Sequence, residues 1–135
     1  IEKGQTVAII GKTGSGKTTL LDLIARMYEA TEGEVCIDGQ PLQQLNLHSL
    51  REAISVVPQE NFLFSDTIRN NLRYGNNATD EEIVAACEKA VVHHNIVEFT
   101  HQYDSILGER GVSLSGGQRQ RVAIARALLK PAEIY

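Results

Sequence analysis

Tryptophan is absent from this chain, cysteine occurs twice, proline three times, and aromatic residues fill only 5% of the 135 positions. Cys36 and Cys87 stand alone, without the paired spacing of a zinc site, a redox motif or a disulfide framework. They read as small buried residues of a reducing compartment. No apolar run approaches the roughly 18 residues that a membrane-spanning helix needs, and no charged leader precedes a short apolar segment. Charge of one sign is never gathered either. The chain carries 13 Lys and Arg against 17 Asp and Glu, a formal net charge of −4, and no block of five like charges. A basic face for nucleic acid is therefore unsupported, and no nucleic-acid partner is expected. With no internal repeat and no low-complexity linker, the sequence reads as one soluble domain or part of one.

Against this plain background stand two glycine-rich strings. Gly11-Lys12-Thr13-Gly14-Ser15-Gly16-Lys17-Thr18 satisfies the Gly-x4-Gly-Lys-Ser/Thr pattern of a phosphate-cradling loop. At ordinary glycine usage a chance match in so short a chain is about one in two hundred. The second string is Leu114-Ser115-Gly116-Gly117-Gln118. Its surroundings, like those of the first, are ordered as the chemistry requires. Gln5–Ile10 is β-branched and nearly all apolar, which predicts a strand buried on both faces and running into the first loop. A helix is predicted from about Lys17, with Leu20, Leu21, Leu23, Ile24 and Met27 on its apolar face and Gly33 helping to end the segment.

Further along, Glu34–Ile37 followed by Asp38-Gly39 predicts a short antiparallel excursion. A short helix is expected over Leu47–Ala53, then a second buried strand over Ile54–Val57 that stops at Pro58. Thr79 and Glu82 form a capping-box pattern ahead of a helix whose core face is Ile83, Cys87, Ala90 and Val91. Ser115 and Gln118 repeat that pattern ahead of a helix to about Leu129, with Val122, Ala125 and Leu129 on one side. Strands alternating with helices predict an α/β fold around a mainly parallel sheet, with the antiparallel excursion as a minor addition.

The chemistry at the first loop follows from its residue types. Gly11, Gly14 and Gly16 permit dihedrals that bring successive amide groups onto one anion, and the following helix adds about half a positive charge at its start. Lys17 is the cation for the β- and γ-phosphates, and Thr18 the hydroxyl for Mg²⁺. Thr19 is placed to bond another phosphate. Lys12 occupies a free position of the pattern and reads as a solvated charge. Ser115, Gly116 and Gly117 put a hydroxyl and flexible backbone at a second helix start, which is a second anion-binding arrangement. Two such surfaces on one chain require either two nucleotides per domain or two domains that share nucleotides.

The pair of strings resembles the Walker A loop and signature motif of the ATP-binding cassette (ABC) family, exporter type. That resemblance implies a P-loop NTPase core with an inserted helical subdomain: approximately 1–58 as ATP-binding core, 59–118 as the Q-loop and helical subdomain, and 119–135 as the return to the core. It implies ATP and Mg²⁺ as ligands, with Gly11, Thr13, Gly14, Ser15, Gly16, Lys17, Thr18 and Thr19 around the phosphates. A partner domain's signature residues, here Ser115, Gly116, Gly117 and Gln118, would complete the site head to tail. Val57-Pro58-Gln59 resembles the family's Q-loop, which implies that Gln59, with Thr18, serves Mg²⁺ or the attacking water. Lys17, Gln59 and Ser115 are thereby the implied catalytic residues. The implied partners are a second nucleotide-binding domain, as a homo- or heterodimer, and a transmembrane domain. The implied location is the cytoplasmic face of a membrane.

Phe62-Leu63-Phe64 with Thr67–Leu72 resembles the exporter segment that meets that transmembrane domain, and Gly108-Glu109-Arg110-Gly111 the loop before the signature. Ser105-Ile106-Leu107 departs from the Thr-x-Val usual there. Arg119, Arg121 and Arg126 are expected to pair with carboxylates or backbone of the helical subdomain, and His48, His93, His94 and His101 show no metal-ligand spacing. The start at Ile1 and a strand just beginning at Ala132–Tyr135 lead to the expectation of a fragment. On the family pattern it would lack the adenine-stacking aromatic, the Walker B aspartate, the catalytic glutamate and the switch histidine, and so would be inactive alone. A degenerate domain that binds ATP without hydrolysis and a soluble cassette ATPase are the alternative readings.

Overall fold

A computed structural model describes residues 1–108 and 111–135 and divides them into two units, 1–51 and 52–135. Glu109 and Arg110, named above ahead of the second string, lie outside the described residues.

In the first unit the Gly-rich loop leads into helix α1, Lys17–Ile24. The helix starts where the sequence predicts and stops sooner. Arg26 adopts a left-handed φ of 49°. Met27 N–H then reaches the Asp22 carbonyl (2.8 Å) and Arg26 N–H the Leu23 carbonyl (3.1 Å). That crossed pair is the Schellman closure, usually built on glycine. Here the guanidinium of Arg26 holds the position, donating to the carbonyls of Leu42 (3.0 Å) and Leu45 (3.1 Å) and to Glu29 (3.0 Å). Met27 is left outside the helix and exposed, and Gly33 comes too late to matter.

Gln5–Ile10 is a correction to the sequence reading. It forms no strand, and Ile10 is 93% exposed. A strand exists through ladder hydrogen bonds to a neighbour, and among the described residues no strand lies alongside this one. The antiparallel excursion is present: β1 (Cys36–Ile37) pairs with β2 (Gln40–Pro41) across Asp38 and Gly39. Their φ values of 51° and 74° are the two left-handed positions of a type I′ turn. Alternation along β1 turns Cys36 outward, so its expected burial is also corrected. Helix α2, Leu47–Ala53, matches its predicted bounds, and Asn46 Oδ1 caps it by accepting from the amides of His48 (3.0 Å) and Ser49 (3.1 Å).

The second unit holds the core. Helices α3 (Ile68–Arg73), α4 (Asp80–Lys89), α5 (His93–Val97) and α6 (Gly116–Leu129) surround buried Ile68, Leu72, Ile83, Cys87, Val92 and Val122. Both predicted capping boxes are formed, at Thr79 with Glu82 and at Ser115 with Gln118. A third cap, Thr67, accepts from Asn70 N–H. Helix α4 ends in another Schellman closure. Val92 N–H bonds Cys87 O (2.9 Å) and Val91 N–H bonds Glu88 O (3.0 Å), with Val91 at φ 56°. Val91 therefore leaves the core face on which the helical spacing put it and is exposed, while Val92 is buried.

The expected strand Ile54–Val57 is reduced to one parallel bridge, Ile54 to Ile134, with Ser55 N–H donating to Ile134 O (2.8 Å). A mainly parallel sheet is thus not seen among the described residues. No described helix is long and apolar enough to cross a membrane.

Candidate phosphate-binding sites

The first site is contiguous in sequence. Gly14 and Gly16 take φ values of 80° and 88°, where a side chain would be strained although neither position is crowded. A Cβ on Gly11 would come within 2.5 Å of Ser15 Oγ, so a side chain there would force the Ser15 hydroxyl to turn away from its place beside the loop. Lys17 folds back across that loop. Its Nζ donates to the carbonyls of Gly11 and Lys12, each at 2.8 Å, and approaches Ser15 Oγ at 3.5 Å. An ammonium pinned by two carbonyls at the mouth of the loop is placed to exchange one of them for an anionic oxygen.

Helix α1 adds the other half of the cradle. Its N-cap is Gly16, which offers no side-chain hydrogen bond to the first-turn amides. The early amides of any helix lack intrahelical partners, and here no side chain competes for them. Thr18 and Thr19 stand exposed in this first turn. The described residues contain no group of three or more His, Cys, Asp or Glu able to hold a metal. What the loop itself offers a divalent cation is a hydroxyl, to be joined by phosphate oxygens and water. Mg²⁺, which keeps several waters and takes few protein ligands, suits such a donor set.

The second site differs in one respect: it is capped. Ser115 Oγ accepts from Gln118 N–H (3.2 Å), and Gln118 Oε1 accepts from Ser115 N–H (2.8 Å). The hydroxyl proton of Ser115 and the amides of Gly116 and Gly117 remain for an outside acceptor. These two glycines are unexplained by the fold. A Cβ on either would meet nothing closer than an arginine nitrogen at 4.0 Å, and neither has a left-handed φ. Bare backbone at these positions leaves the first-turn amides uncovered by side chains. Lys17 and Thr18 belong to the first unit, and Gln59 and Ser115 to the second. Gln59 sits in an exposed bend just past Pro58.

The whole of residues 1–135 matches the family described as "ABC transporter". The chain belongs to that family. Among curated relatives, "ABC transporter B family member 24, mitochondrial" of Arabidopsis thaliana is 48% identical over 135 residues, covering 99% of this chain and 20% of the relative. "ATP-dependent lipid A-core flippase" of Legionella pneumophila (strain Paris) is 50% identical, covering 99% and 23%. This ABC transporter chain therefore spans about a fifth of the length of the relatives it matches. A solved structure described as a bacterial Atm1-family ABC exporter with ATP bound is similar with a TM-score of 0.84 at 43% identity, over 90% of this chain and 22% of that one. The fold is that of an ABC nucleotide-binding domain, a P-loop NTPase.

Of the three arginines after the second motif, Arg119 donates to Leu114 O (2.7 Å) and Arg126 to Asn71 O (2.7 Å), as the expected backbone pairing requires. Asn71 itself was not singled out by the sequence. Its only signal is a polar residue set between Ile68 and Leu72, on their buried side of α3.

Cys87 is buried beside the Tyr103 hydroxyl, which in turn lies 2.9 Å from His93 Nδ1. Burial, only partly opposed by a hydrogen bond with the Tyr103 hydroxyl, pushes the Cys87 thiol up to about 11. Only about one molecule in a thousand then carries the thiolate at pH 8. An aromatic disulfide reagent at that pH is expected to modify exposed Cys36 at once and Cys87 only after unfolding. Two fast equivalents per native chain would show that the Cys87 pocket opens freely.

Proposed function

We propose that the chain is the ATP-binding and ATP-hydrolysing part of an ABC exporter, acting at the cytoplasmic face of a membrane with a transmembrane domain. What supports this most is the form of its two glycine-fronted helix starts. One is an uncapped cradle with its own cation, the other a capped helix whose bare glycines have no internal use. In this reading 1–58 is the ATP-binding core, 59–118 carries the Q-loop and helical subdomain, and 119–135 returns to the core.

Gly11, Thr13, Gly14, Ser15, Gly16 and Thr19 hold the phosphates by amide and hydroxyl groups, and Lys17 neutralises them as charge shifts during transfer. Thr18 gives its hydroxyl to Mg²⁺, which when bound draws charge from the phosphate oxygens. Gln59 orients Mg²⁺ or the attacking water. Ser115, Gly116, Gly117 and Gln118 act on the nucleotide held by a second copy or a homologous partner, so that ATP joins two domains head to tail. The similarity to an exporter described with ATP bound supports the ligand, and the lipid flippase among its relatives supports the kind of work.

A mixing experiment separates shared sites from sites closed within one chain. Copies carrying Lys17→Ala are combined with copies carrying Ser115→Ala in a dimeric full-length transporter. If each site joins Lys17 of one copy to Ser115 of the other, every mixed dimer has one intact site and one doubly damaged site. One ATP per mixed dimer should bind with the affinity of the unsubstituted protein. Were the sites closed within single chains, no mixed dimer would keep an intact one, and loss of all tight binding would overturn the head-to-tail arrangement.

A further inference from the structure

The segment Phe62–Phe64 presents its rings to solvent: Phe62 is 68% exposed and lies edge-on to Phe64 at 5.0 Å, and Phe64 leans on Tyr74 at 4.6 Å. Exposed aromatics on a short loop would ordinarily be mobile, yet this loop is tied down by one buried amide. Asn71 is only 1% exposed. Its Nδ2 donates to Phe64 O (3.0 Å) and Thr67 O (2.9 Å), and its Oδ1 accepts from Phe64 N–H (2.8 Å). A side-chain amide closing both backbone groups of one loop residue mimics a strand partner and fixes that residue's orientation.

From the far side, α6 grips the same assembly. Arg126 Nε donates to Asn71 O (2.7 Å), Nη2 to Asn71 Oδ1 (3.2 Å) and Nη1 to Phe62 O (3.2 Å), while the guanidinium lies 5.8 Å from the Tyr74 ring centre. A second strap runs in parallel. Thr67 and Ile106 form an antiparallel bridge, Ile68 N–H donates to Ser105 O (3.0 Å) and Leu107 N–H to Asp66 O (2.9 Å). Thus the chain just after the aromatic loop is stitched to the chain that leads toward Ser115, and the loop itself is pinned to the helix that Ser115 caps. Along α6, Arg126 stands eleven residues beyond Ser115, about 16 Å of continuous helix.

We propose that Asn71 and Arg126 are positioning residues that make the aromatic loop and the Ser115 helix start a single lever: engagement of Ser115 orders Phe62–Phe64, and pressure on these rings shifts Ser115. The inference rests on the functional reading for what engages Ser115, namely the nucleotide of the partner copy. Reciprocity is required, because a coupling free energy between two sites acts equally in both directions. Packing continuity alone does not demonstrate coupling, so the decisive evidence is a response at one end to a ligand at the other.

Hydrogen exchange read by mass spectrometry supplies it, on a full-length transporter carrying this chain, with and without a non-hydrolysable ATP analogue and Mg²⁺. In the unsubstituted protein the analogue should slow exchange at Gly11–Thr19, at Ser115–Gln118 and at Leu63 and Phe64, the last by about fivefold or more, the low end of measured couplings. In Asn71→Ala the first two regions should slow as before, and Leu63 and Phe64 by less than about twofold. A residue that only stabilises the fold would alter exchange with and without analogue alike. Should Asn71→Ala fail to fold, Arg126→Lys decides, since it keeps the charge but removes the planar fork that reaches Asn71 and Phe62 together. Unchanged exchange at Leu63 and Phe64 in the unsubstituted protein, or a full response in the folded variants, overturns the lever. No slowing at Gly11–Thr19 or Ser115–Gln118 overturns the nucleotide reading itself, and the lever with it.

Discussion

Replacing Lys17 with alanine is expected to weaken ATP binding by roughly tenfold to a hundredfold, the equivalent of one charge-assisted hydrogen bond of about 1.5–3 kcal/mol. The estimate rests on where the ammonium already is. Nζ sits 2.8 Å from the carbonyls of both Gly11 and Lys12, so little reorganisation is needed to bring it onto a phosphate at the loop mouth. Removing it also takes a donor from both carbonyls, leaving that of Lys12 with Ser15 N–H alone (3.2 Å), which loosens the loop before any ligand arrives. Both effects have the same sign. Lys12→Ala is the matched control: it deletes an equal charge from the same loop, but Lys12 is exposed and only its backbone carbonyl enters the bonds of the cradle. Its affinity should stay within about twofold, because exposed charges in water are well screened. Isothermal titration of both variants checks the contrast. Equal losses would mean that net charge, and not the placed ammonium, holds the nucleotide; no loss at Lys17→Ala would remove the phosphate loop from the functional reading altogether.

What the sequence reveals and what it hides divides by range. The capping boxes at Thr79 and Ser115, the Asp38-Gly39 turn and the start of α1 at Lys17 are decided within four residues, and all are present as read. The left-handed turns of Gly14 and Gly16 are legible for the same reason, the loop being consecutive in sequence. Where helices end proved harder to read, because glycine is the usual sign of a left-handed closing residue and this chain uses Arg26 and Val91 instead. Arg26 is held there by carbonyls sixteen and nineteen positions away, which no local pattern announces. Gln5–Ile10 was read from apolarity, which records the burial a segment is suited to, while strand formation needs a partner that the segment does not contain. The link between Asn71 and Arg126 spans fifty-five positions and has no motif at all. Its parts were visible only as an isolated polar residue on an apolar helix face and one arginine among several.

The same contrast yields the second large effect, on stability. Ile83 and Val91 lie on one predicted helical stripe, but the structure separates them: Ile83 is 1% exposed in the core between α4 and α6, and Val91 is 59% exposed beyond the end of α4. Ile83→Ala should therefore cost about 2–5 kcal/mol, the transfer of the lost methyl groups plus the cavity they leave. Neighbours Cys87 and Val122 are themselves fully buried and have no solvent-facing freedom with which to fill it. Val91→Gly should act oppositely. It removes a β-branched side chain from a φ of 56°, relieving roughly 1 kcal/mol of left-handed strain, while the two Schellman hydrogen bonds, being backbone, persist. Urea titration followed by far-ultraviolet dichroism reads both, as midpoints moving in opposite directions at unchanged slope. If Ile83→Ala and Val91→Ala cost the same, α4 continues past Lys89 and the stripe read from spacing is the real one. A destabilising Val91→Gly would show that Val91 is anchored by contacts stronger than its strain, and the closure at the end of α4 would need another explanation.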